Sequence, residues 1–482
     1  MPGPTMGQEI AEQHFRQRDF ERFGQRLTAE TRILHEWVEA DRFAHDPPVA
    51  GLELEAWLVR PDGTPAPENE AFLARAAHPD VVHELARFNI ELNVPPQPIA
   101  GEGLARLQAD LESTWRHCRE VAGSLGLEVV SIGTLPTVTD ADLCPANMSD
   151  SGRYRALNEQ VLRQRHGRAI RLDIRSAETL ATEHRDVMLE AGTTSFQAHL
   201  QVTSETATRY HNASQIASAA TVALAANAPY LFGRELWEET RIPLFEQAVA
   251  IGSHEVAWHG HQPRVTFGSG YAGWSLAETF QENLQSFPVM LPLDLGEDPA
   301  RLPHLRLHNG TIWRWNRPLI GFGADGVPHL RIEHRVMGAG PTLVDMMANL
   351  VFFYGLAASL AHAERPPESR LPFAAARDNF YAAARAGLDA IVAWTDGGAR
   401  DLRSLVLDTL LPEARAGLAL LSVDDEYASR MLALIERRTR SGQTGAAWQR
   451  GFVRRHGRDF TALTLEYARR QRSGAPVHTW DY

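Results

Sequence analysis

Four short segments carry metal-ligand and anion-clamping side chains at every second position. In Gly51–Leu58 (GLELEAWL), an extended chain puts Glu53 and Glu55 on one face and Leu52, Leu54 and Ala56 on the other. Asn89–Val94 (NIELNV) sets Asn89, Glu91 and Asn93 opposite Ile90, Leu92 and Val94. Ser195–Val202 (SFQAHLQV) sets Gln197, His199 and Gln201 against Phe196, Ala198, Leu200 and Val202. His329–Arg335 (HLRIEHR) sets Arg331, Glu333 and Arg335 against Leu330 and Ile332. Antiparallel strands with one face in water explain alternation by themselves. A wetted face is usually filled with Ser, Thr and mixed charge, whereas these positions hold carboxylates, amides, one histidine and arginines. Carboxylates gathered on one face repel one another unless a cation lies between them, and oxygen-rich donor sets favour Mg2+ or Mn2+. Arginines beside them would hold phosphate or carboxylate groups that bridge such ions. The pattern favours an active-site sheet over a solvated one.

The sequence around these segments supplies the elements that position them. Residues 8–42 predict one or two amphipathic helices. From about 50 to 340, β-like runs alternate with helical stretches at 103–125, 152–166 and 205–227. Beyond 343 the pattern becomes almost wholly helical, with segments at 343–363, 371–394, 401–421, 424–440 and 446–472. The expected fold class is α+β, divided into an N-terminal helical segment (1–45), a catalytic α+β domain (46–365) and a helical C-terminal region packed on it (366–482).

Composition narrows the chemistry. All 48 basic residues among the 482 are arginine, so the chain has no lysine. Schiff-base catalysis, the GxxxxGK[ST] phosphate loop and the strand lysine of protein kinases are therefore excluded. A formal net charge of -12 argues against nucleic acid and anionic membranes as partners. Cys118 and Cys144 are too few for a disulfide framework or a thiolate zinc site. The polar stretch Met1–Phe20 holds no apolar targeting core, and no run of 18 apolar residues predicts a membrane span. A cytoplasmic protein is expected.

Gly51-Leu-Glu-Leu-Glu resembles the GxExE first strand of the glutamate–cysteine ligase family of the plant and proteobacterial type, which includes related bacterial carboxylate–amine ligases. Further similarities follow in order over roughly residues 50–355. Glu91-Leu-Asn-Val-Pro-Pro resembles the second strand, Arg153-Tyr154 an Arg-Tyr pair, and Gln197-Ala-His199-Leu-Gln201-Val the central strand. Ala226-Asn227-Ala228-Pro229-Tyr230 is similar to the family's ANSPF, and Thr240-Arg241 falls at its Ser-Arg. Residues 274–293 resemble a helix followed by a Pro-Met strand. Asn316-Arg317-Pro318 resembles an Arg-Pro motif, and Arg331-Ile-Glu-His-Arg335 its last strand.

The resemblance implies a glutamine-synthetase-like fold: a curved antiparallel sheet with helices on one face, and ATP, metal ions and glutamate on the other. It also implies ATP-dependent joining of a carboxylate to an amine through an acyl phosphate, with a glutamate–cysteine ligase forming γ-glutamylcysteine as the expected case. No lysine is needed, because phosphoryl transfer rests on positioning and charge neutralisation. Under this resemblance Glu53, Glu55, Glu91 and Glu333 are candidate ligands for Mg2+ or Mn2+, with His199 and Gln197 as weaker ones. Arg241, Arg317 and Arg335 are candidates for phosphate or substrate-carboxylate contacts, with Arg241 and Arg335 the candidate catalytic pair. Asn93 and Gln197 are further candidates for holding substrate or ATP. The partners expected are an amino-acid carboxylate, an amine and ATP, with a homo-oligomer possible in principle.

The sequence departs from the family pattern in three places. Gln197 stands at the first His of HvH, as in plant-type members; the Asp often found after the last strand is missing; and His334 replaces an apolar residue. Other readings compete. A metal-dependent hydrolase would use the same carboxylate and histidine face, and a non-catalytic relative would bind nucleotide or amino acid without turnover. Gly268-Ser-Gly270-Tyr-Ala-Gly273 imitates a dinucleotide fingerprint but lacks a βαβ series around it, and reads better as a mobile substrate loop. His254, Glu255, His259 and His261 lack regular ligand spacing. Arg331 and Asn227 have bland alternatives as a surface charge and a helix cap, and Arg437-Arg438 and Arg454-Arg455 as solvated helix faces.

Overall fold

The computed structural model describes residues 15–251, 263–296 and 298–482. His254, Glu255, His259 and His261 lie outside the described residues.

One antiparallel sheet of eight strands carries all four alternating segments. Its strands are β1 (Val49–Val59), β2 (Val81–His83), β3 (Asn89–Asn93), β4 (Gln97–Pro98), β5 (Glu128–Val130), β6 (Phe196–Val202), β7 (Asn316–Phe322) and β8 (Pro328–His334). The order is β7-β8-β6-β1-β3-β2, with β4 and β5 also paired to β1. The four polar-faced strands β8, β6, β1 and β3 are thus consecutive neighbours. Their apolar sides hold the core: Leu52, Leu54, Ala56, Ile90, Leu92, Phe196, Ala198, Leu200 and Ile332 are all buried. Period-2 alternation is what lets one set of strands build a core on one side and a polar surface on the other.

Helices surround the sheet, and three of them pack on its apolar side. In chain order they begin with α1 (Gln17–Glu39), α2 (Asn69–Ala76), α3 (Gly103–Ser124), α4 (Gly152–Gln164) and α5 (Ser204–Leu224). Next come α6 (Arg241–Ala248), α7 (Ala277–Ser286), α8 (Pro303–Gly310) and α9 (Leu343–His362). α3 packs on β1, α5 on β8 and α9 on β6. The predicted 103–125, 152–166, 205–227 and 343–363 helices thus form within a few residues of their expected ends. α1 is one helix, clamped to α8 by Glu30, which faces His304 Nδ1 at 2.6 Å and accepts Leu305 N–H at 2.8 Å.

α9 is apolar on all sides, with a mean hydropathy of 1.6 over its 18-residue window, and 83% of that window is buried inside the fold. It is a core helix, and its apolar character follows from neighbours on every face. Against it lies α12 (Leu411–Leu420), entered from α10 (Phe373–Ala386) and α11 (Leu402–Leu405) through a π-helical turn, Val406–Leu410. Glycine is required at the α9–α12 crossing. A Cβ on Gly355 would meet Ala414 O at 2.3 Å, and one on Gly417 would meet Gly355 O at 1.8 Å.

The C-terminal region ends in α13 (Asp425–Ser441), α14 (Gly445–His456) and α15 (Phe460–Arg472). Two expected helices are corrected. The 371–394 segment stops at Ala386, where Gly387 takes φ +58°, and Ile391–Ala393 pairs with Ala399–Asp401 as a hairpin. The 446–472 segment is two helices, broken where Gly457 takes φ +85° and Asp459 caps the second by accepting Ala462 N–H.

Candidate active site

The sheet's register decides which ligand-type residues meet. Glu333 of β8 lies opposite His199 of β6, and His199 opposite Gly51 of β1. Glu53 lies opposite Gln197 on one side and Asn93 on the other, and Glu55 opposite Glu91. Gly51 leaves space in this row: a Cβ there would lie 3.3 Å from His199 Cβ. With no side chain at that position, the imidazole reaches along β1 to Glu53, at 3.1 Å from Oε1.

Two ligand groups result. In the first, one donor atom each from Glu53, His199 and Glu333 lie within 4.8 Å of one another. Glu333 is fully buried and held from behind by Arg317, which donates Nε to Oε2 at 2.8 Å and Nη2 to Oε1 at 2.9 Å. Arg335 Nη1 adds a contact to Oε2 at 3.2 Å. Burial alone would raise the Glu333 pKa, but Arg317, Arg335 and His199 hold it well below the usual carboxylate range. Glu53 is likewise lowered: burial opposes the shift, and the neighbouring His199, at 3.1 Å, and Arg335 overcome it. These carboxylates stay ionised, as ligands must.

The second group is Glu55, Glu84 and Glu91, again with donor atoms within 4.8 Å. Ser195 donates both N–H and Oγ–H to Glu55, each at 2.7 Å, and Gln197 Nε2 donates at 3.0 Å. Asn93 Nδ2 donates to Glu91 Oε1 at 2.8 Å. Even so, burial and then the charge of Glu84 push Glu55 up to about 7. Burial, then Glu53 and Glu84, push Glu91 well above the usual range. Three carboxylates this close call for a cation, and an all-oxygen set suits a hard divalent ion. In the first group both His199 ring nitrogens are buried without a hydrogen bond among the described residues, which also fits a ligand role.

The signs of these shifts give a testable pH dependence. Glu55 and Glu91 titrate higher in the fold than in an unfolded chain, so the stability they contribute is fully present below about pH 4.5. It is lost as pH rises through about 7 for Glu55. A divalent ion favours the ionised forms and cancels that loss. We expect Mg2+ to raise the melting temperature more at about pH 8 than at about pH 5.5. Equal stabilisation at both pH values would show that the second group takes no ion.

Beside the second group is a cavity of about 40 Å3, lined by Glu55, Glu84, Glu190, Ser195, Arg241 and Arg335, with Phe245 and Trp315 as an aromatic wall. Gln197 links its two sides, donating to Glu55 and accepting Arg335 Nη1 at 2.7 Å. Arg241, the first residue of α6, is fixed by Glu239 Oε2 at 3.0 Å and Val336 O at 2.8 Å. Trp315 is held by Glu246, which accepts its Nε1–H at 2.9 Å and the Tyr381 hydroxyl at 2.6 Å.

The expected site residues therefore converge: Glu53, Glu55, Glu91, Asn93, Gln197, His199, Glu333 and Arg335 share one face, and Arg241 faces it from α6. Arg317 joins them from β7, with its guanidinium turned to Glu333. Arg331 sits half-buried on the same face, where burial lowers its pKa despite Glu53 and Glu333. Asn227 is a cross-brace, donating to Ala339 O and Tyr467 Oη and accepting Gln449 Nε2. His334 lies on the opposite, helix-covered side, against Thr221 Oγ1 at 2.8 Å and Asn316 Oδ1 at 2.7 Å, and stacks on Phe353. Arg438 is buried against Asp345, not solvated.

Sequence reasoning missed Glu84, Glu190 and Ser195. Glu84 and Glu190 stand in irregular segments where no periodicity marks a face. Ser195 stood in a quoted strand, on the polar side of its alternation. The glycine-rich loop at 268–273 is not a dinucleotide site. The amides of Gly273 and Ser275 before α7 both donate to Glu278, so the positions that would receive phosphate are filled by the chain itself.

No curated protein sequence matches the chain. Among solved structures it is similar to the glutamate–cysteine ligase of Francisella tularensis in complex with AMP, at 13% identity over 91% of each chain and a TM-score of 0.60. It is also similar to a bifunctional glutathione synthetase from Pasteurella multocida, at 14% identity and a TM-score of 0.56, covering 92% of this chain and 54% of that one. These likenesses bear out the expected glutamine-synthetase-like fold, a curled antiparallel sheet with helices and a helical C-terminal region. The sequence profile of glutamate-cysteine ligase family 2 matches residues 49–462, a span from the first strand into the last helix. The chain belongs to glutamate-cysteine ligase family 2, and with it to the ATP-dependent ligases that form C–N bonds.

Proposed function

We propose that the chain uses ATP to activate a carboxylate as an acyl phosphate and joins it to an amine, with glutamate as the acid and cysteine as the amine. The observation that carries this reading is the pairing of two oxygen-rich ligand groups across one sheet face, with Arg335 beside both. Glu53, His199 and Glu333 would hold one Mg2+ or Mn2+, and Glu55, Glu84 and Glu91 a second. Such ions neutralise charge on the phosphates during transfer.

The chain's own groups do the rest. Arg317 fixes the orientation of Glu333 and keeps it ionised. Arg335, tied to Gln197 and Glu333, presents a permanent positive charge where the γ-phosphoryl and the acid's carboxylate must meet. Arg241, rigidly fixed on its Nε and Nη2 sides, adds a second positive charge across the cavity. Phe245 and Trp315 keep water from that wall, which protects an acyl phosphate from hydrolysis. The AMP in the Francisella tularensis structure supports an adenine nucleotide as co-substrate. The proposal includes small-molecule substrates only, a cytoplasmic setting and a catalytic body over residues 46–365.

Purified chain with ATP, Mg2+ and glutamate should release phosphate when cysteine or another suitable amine is added. Absence of amine-dependent release across a broad panel of acids and amines would overturn the reading. Turnover without nucleotide would favour the hydrolase, and tight ATP binding without turnover the non-catalytic relative.

A further inference from the structure

The ligase reading assigns the carboxylates of β1, β3 and β8 but leaves one carboxylate on the cavity without a task. Glu190 lies in the short turn of 3-10 helix Met188–Gly192, just before the strand that carries Gln197 and His199. It lines the cavity, and its Oε2 is buried with no hydrogen-bond partner among the described residues. A buried acceptor left without a donor is costly, so this atom is either protonated or waiting for a donor from a bound molecule.

The surroundings select the donor. Arg241 and Arg335 also line the cavity but are tied to Glu239, Val336, Gln197 and Glu333, and Glu55 and Glu84 are assigned to a divalent ion. Glu190 Oε2 is the acceptor left over, and an ammonium brings both the N–H and the opposite charge it lacks. The space, about 40 Å3, admits a few water-sized groups, enough for a small head group such as an ammonium. It also abuts Glu55 and Arg335, where the activated carbonyl is expected. A small cationic head that must arrive beside that carbonyl is the amino group of the attacking substrate.

We propose that Glu190 receives the attacking amine as its ammonium form and takes one proton from it, an assignment that rests on the ligase reading above. The balance is as follows. R–NH3+ gives one proton to Glu190 Oε2. The freed lone pair forms the C–N bond at the acyl carbon, the C–O bond to phosphate breaks, and its electron pair leaves on the phosphate. The second nitrogen proton passes to that phosphate, and Glu190 returns its proton to solvent. Burial and the charge of Glu84 push the Glu190 pKa up to about 8, against the opposing pull of Arg335. A carboxylate in that range matches an ammonium far better than an ordinary one. Glu55, Glu84, Arg153 and Arg335 are the charged groups that act on it.

The test compares two nucleophiles in the full chain with ATP, Mg2+ and glutamate. Cysteine arrives as an ammonium, whereas hydroxylamine is uncharged at neutral pH and has no such proton to give up. Glu190→Gln should lower amide formation with cysteine by about 10²–10⁴-fold. Hydroxamate formation should stay within about tenfold of wild type, because activation of the acid does not use Glu190. Glu190→Asp, which keeps a carboxylate, should recover part of the cysteine rate. Equal loss of both products in Glu190→Gln and Glu190→Asp would overturn the proposal, placing Glu190 in the fold or on the acid substrate. So would full retention of both. A wild-type chain that makes no hydroxamate from any acid would instead overturn the ligase reading itself.

Discussion

Glu53→Gln should lower amine-dependent ATP turnover by about 10²–10³-fold, equivalent to roughly 3–4 kcal/mol of transition-state stabilisation. The substitution keeps the side chain's size and its place beside His199, but removes one of the negative charges that would hold a divalent ion. Its effect on folding should be small, because two consequences oppose each other. His199 loses an ionised partner at 3.1 Å, while Glu91 is relieved of a neighbouring charge that raises its pKa. The melting temperature without divalent ions should therefore stay within a few degrees of wild type. Mn2+ titration followed by electron paramagnetic resonance should lose one class of site. A variant with near-normal turnover and unchanged Mn2+ binding would remove the first ligand group from the proposed mechanism.

Arg438→Ala should destabilise the chain by roughly 3–5 kcal/mol while leaving the site's chemistry intact in whatever fraction stays folded. Arg438 of α13 is 1% exposed and its partner Asp345, at the start of α9, is fully buried. The guanidinium donates to Asp345 Oδ1 at 2.7 Å, to Leu224 O at 3.1 Å at the end of α5, and to Asn349 Oδ1. One side chain thus ties three helices. Truncation leaves the Asp345 side chain in the interior without its cationic partner, with Thr342 Oγ1 and Val477 N–H as its remaining donors among the described residues. Chemical denaturation should show the loss as a shifted midpoint. A shift worth less than about 1 kcal/mol would mean that water reaches Asp345 in the variant.

How far the sequence revealed this arrangement depended on periodicity. Glu53, Glu55, Glu91, His199 and Glu333 were legible because strands alternate, and a polar residue out of place in that alternation is easily seen. Which of them meet was not legible, since pairing Glu333 with His199 and Glu55 with Glu91 requires the strand order. Glu84 and Glu190 carry the same chemistry but stand in turns, where no repeat separates a ligand from an ordinary acidic residue. Arg317 shows a further gap. Its side chain type suggested a phosphate contact, while the structure turns it onto Glu333, a choice set by the β7–β8 register. His334, which breaks the apolar pattern, is explained by Thr221 and Asn316 on helix and strand neighbours that no local motif reveals.

The strand order β8-β6-β1 also has a bearing on how the chain acquires its activity. Glu53 and Glu333 are 280 positions apart in the chain, yet they belong to one ligand group. Nothing in the first half of the polypeptide can assemble that group alone. During synthesis the early strands must wait for β8, and closing so long a loop before its contacts reward it is slow. Unfinished or clipped chains that end before β8 hold Glu53 and His199 without Glu333 or Arg335. Under the mechanism proposed above such chains cannot spend ATP, so the capacity to consume nucleotide arises only once β8 has joined the sheet.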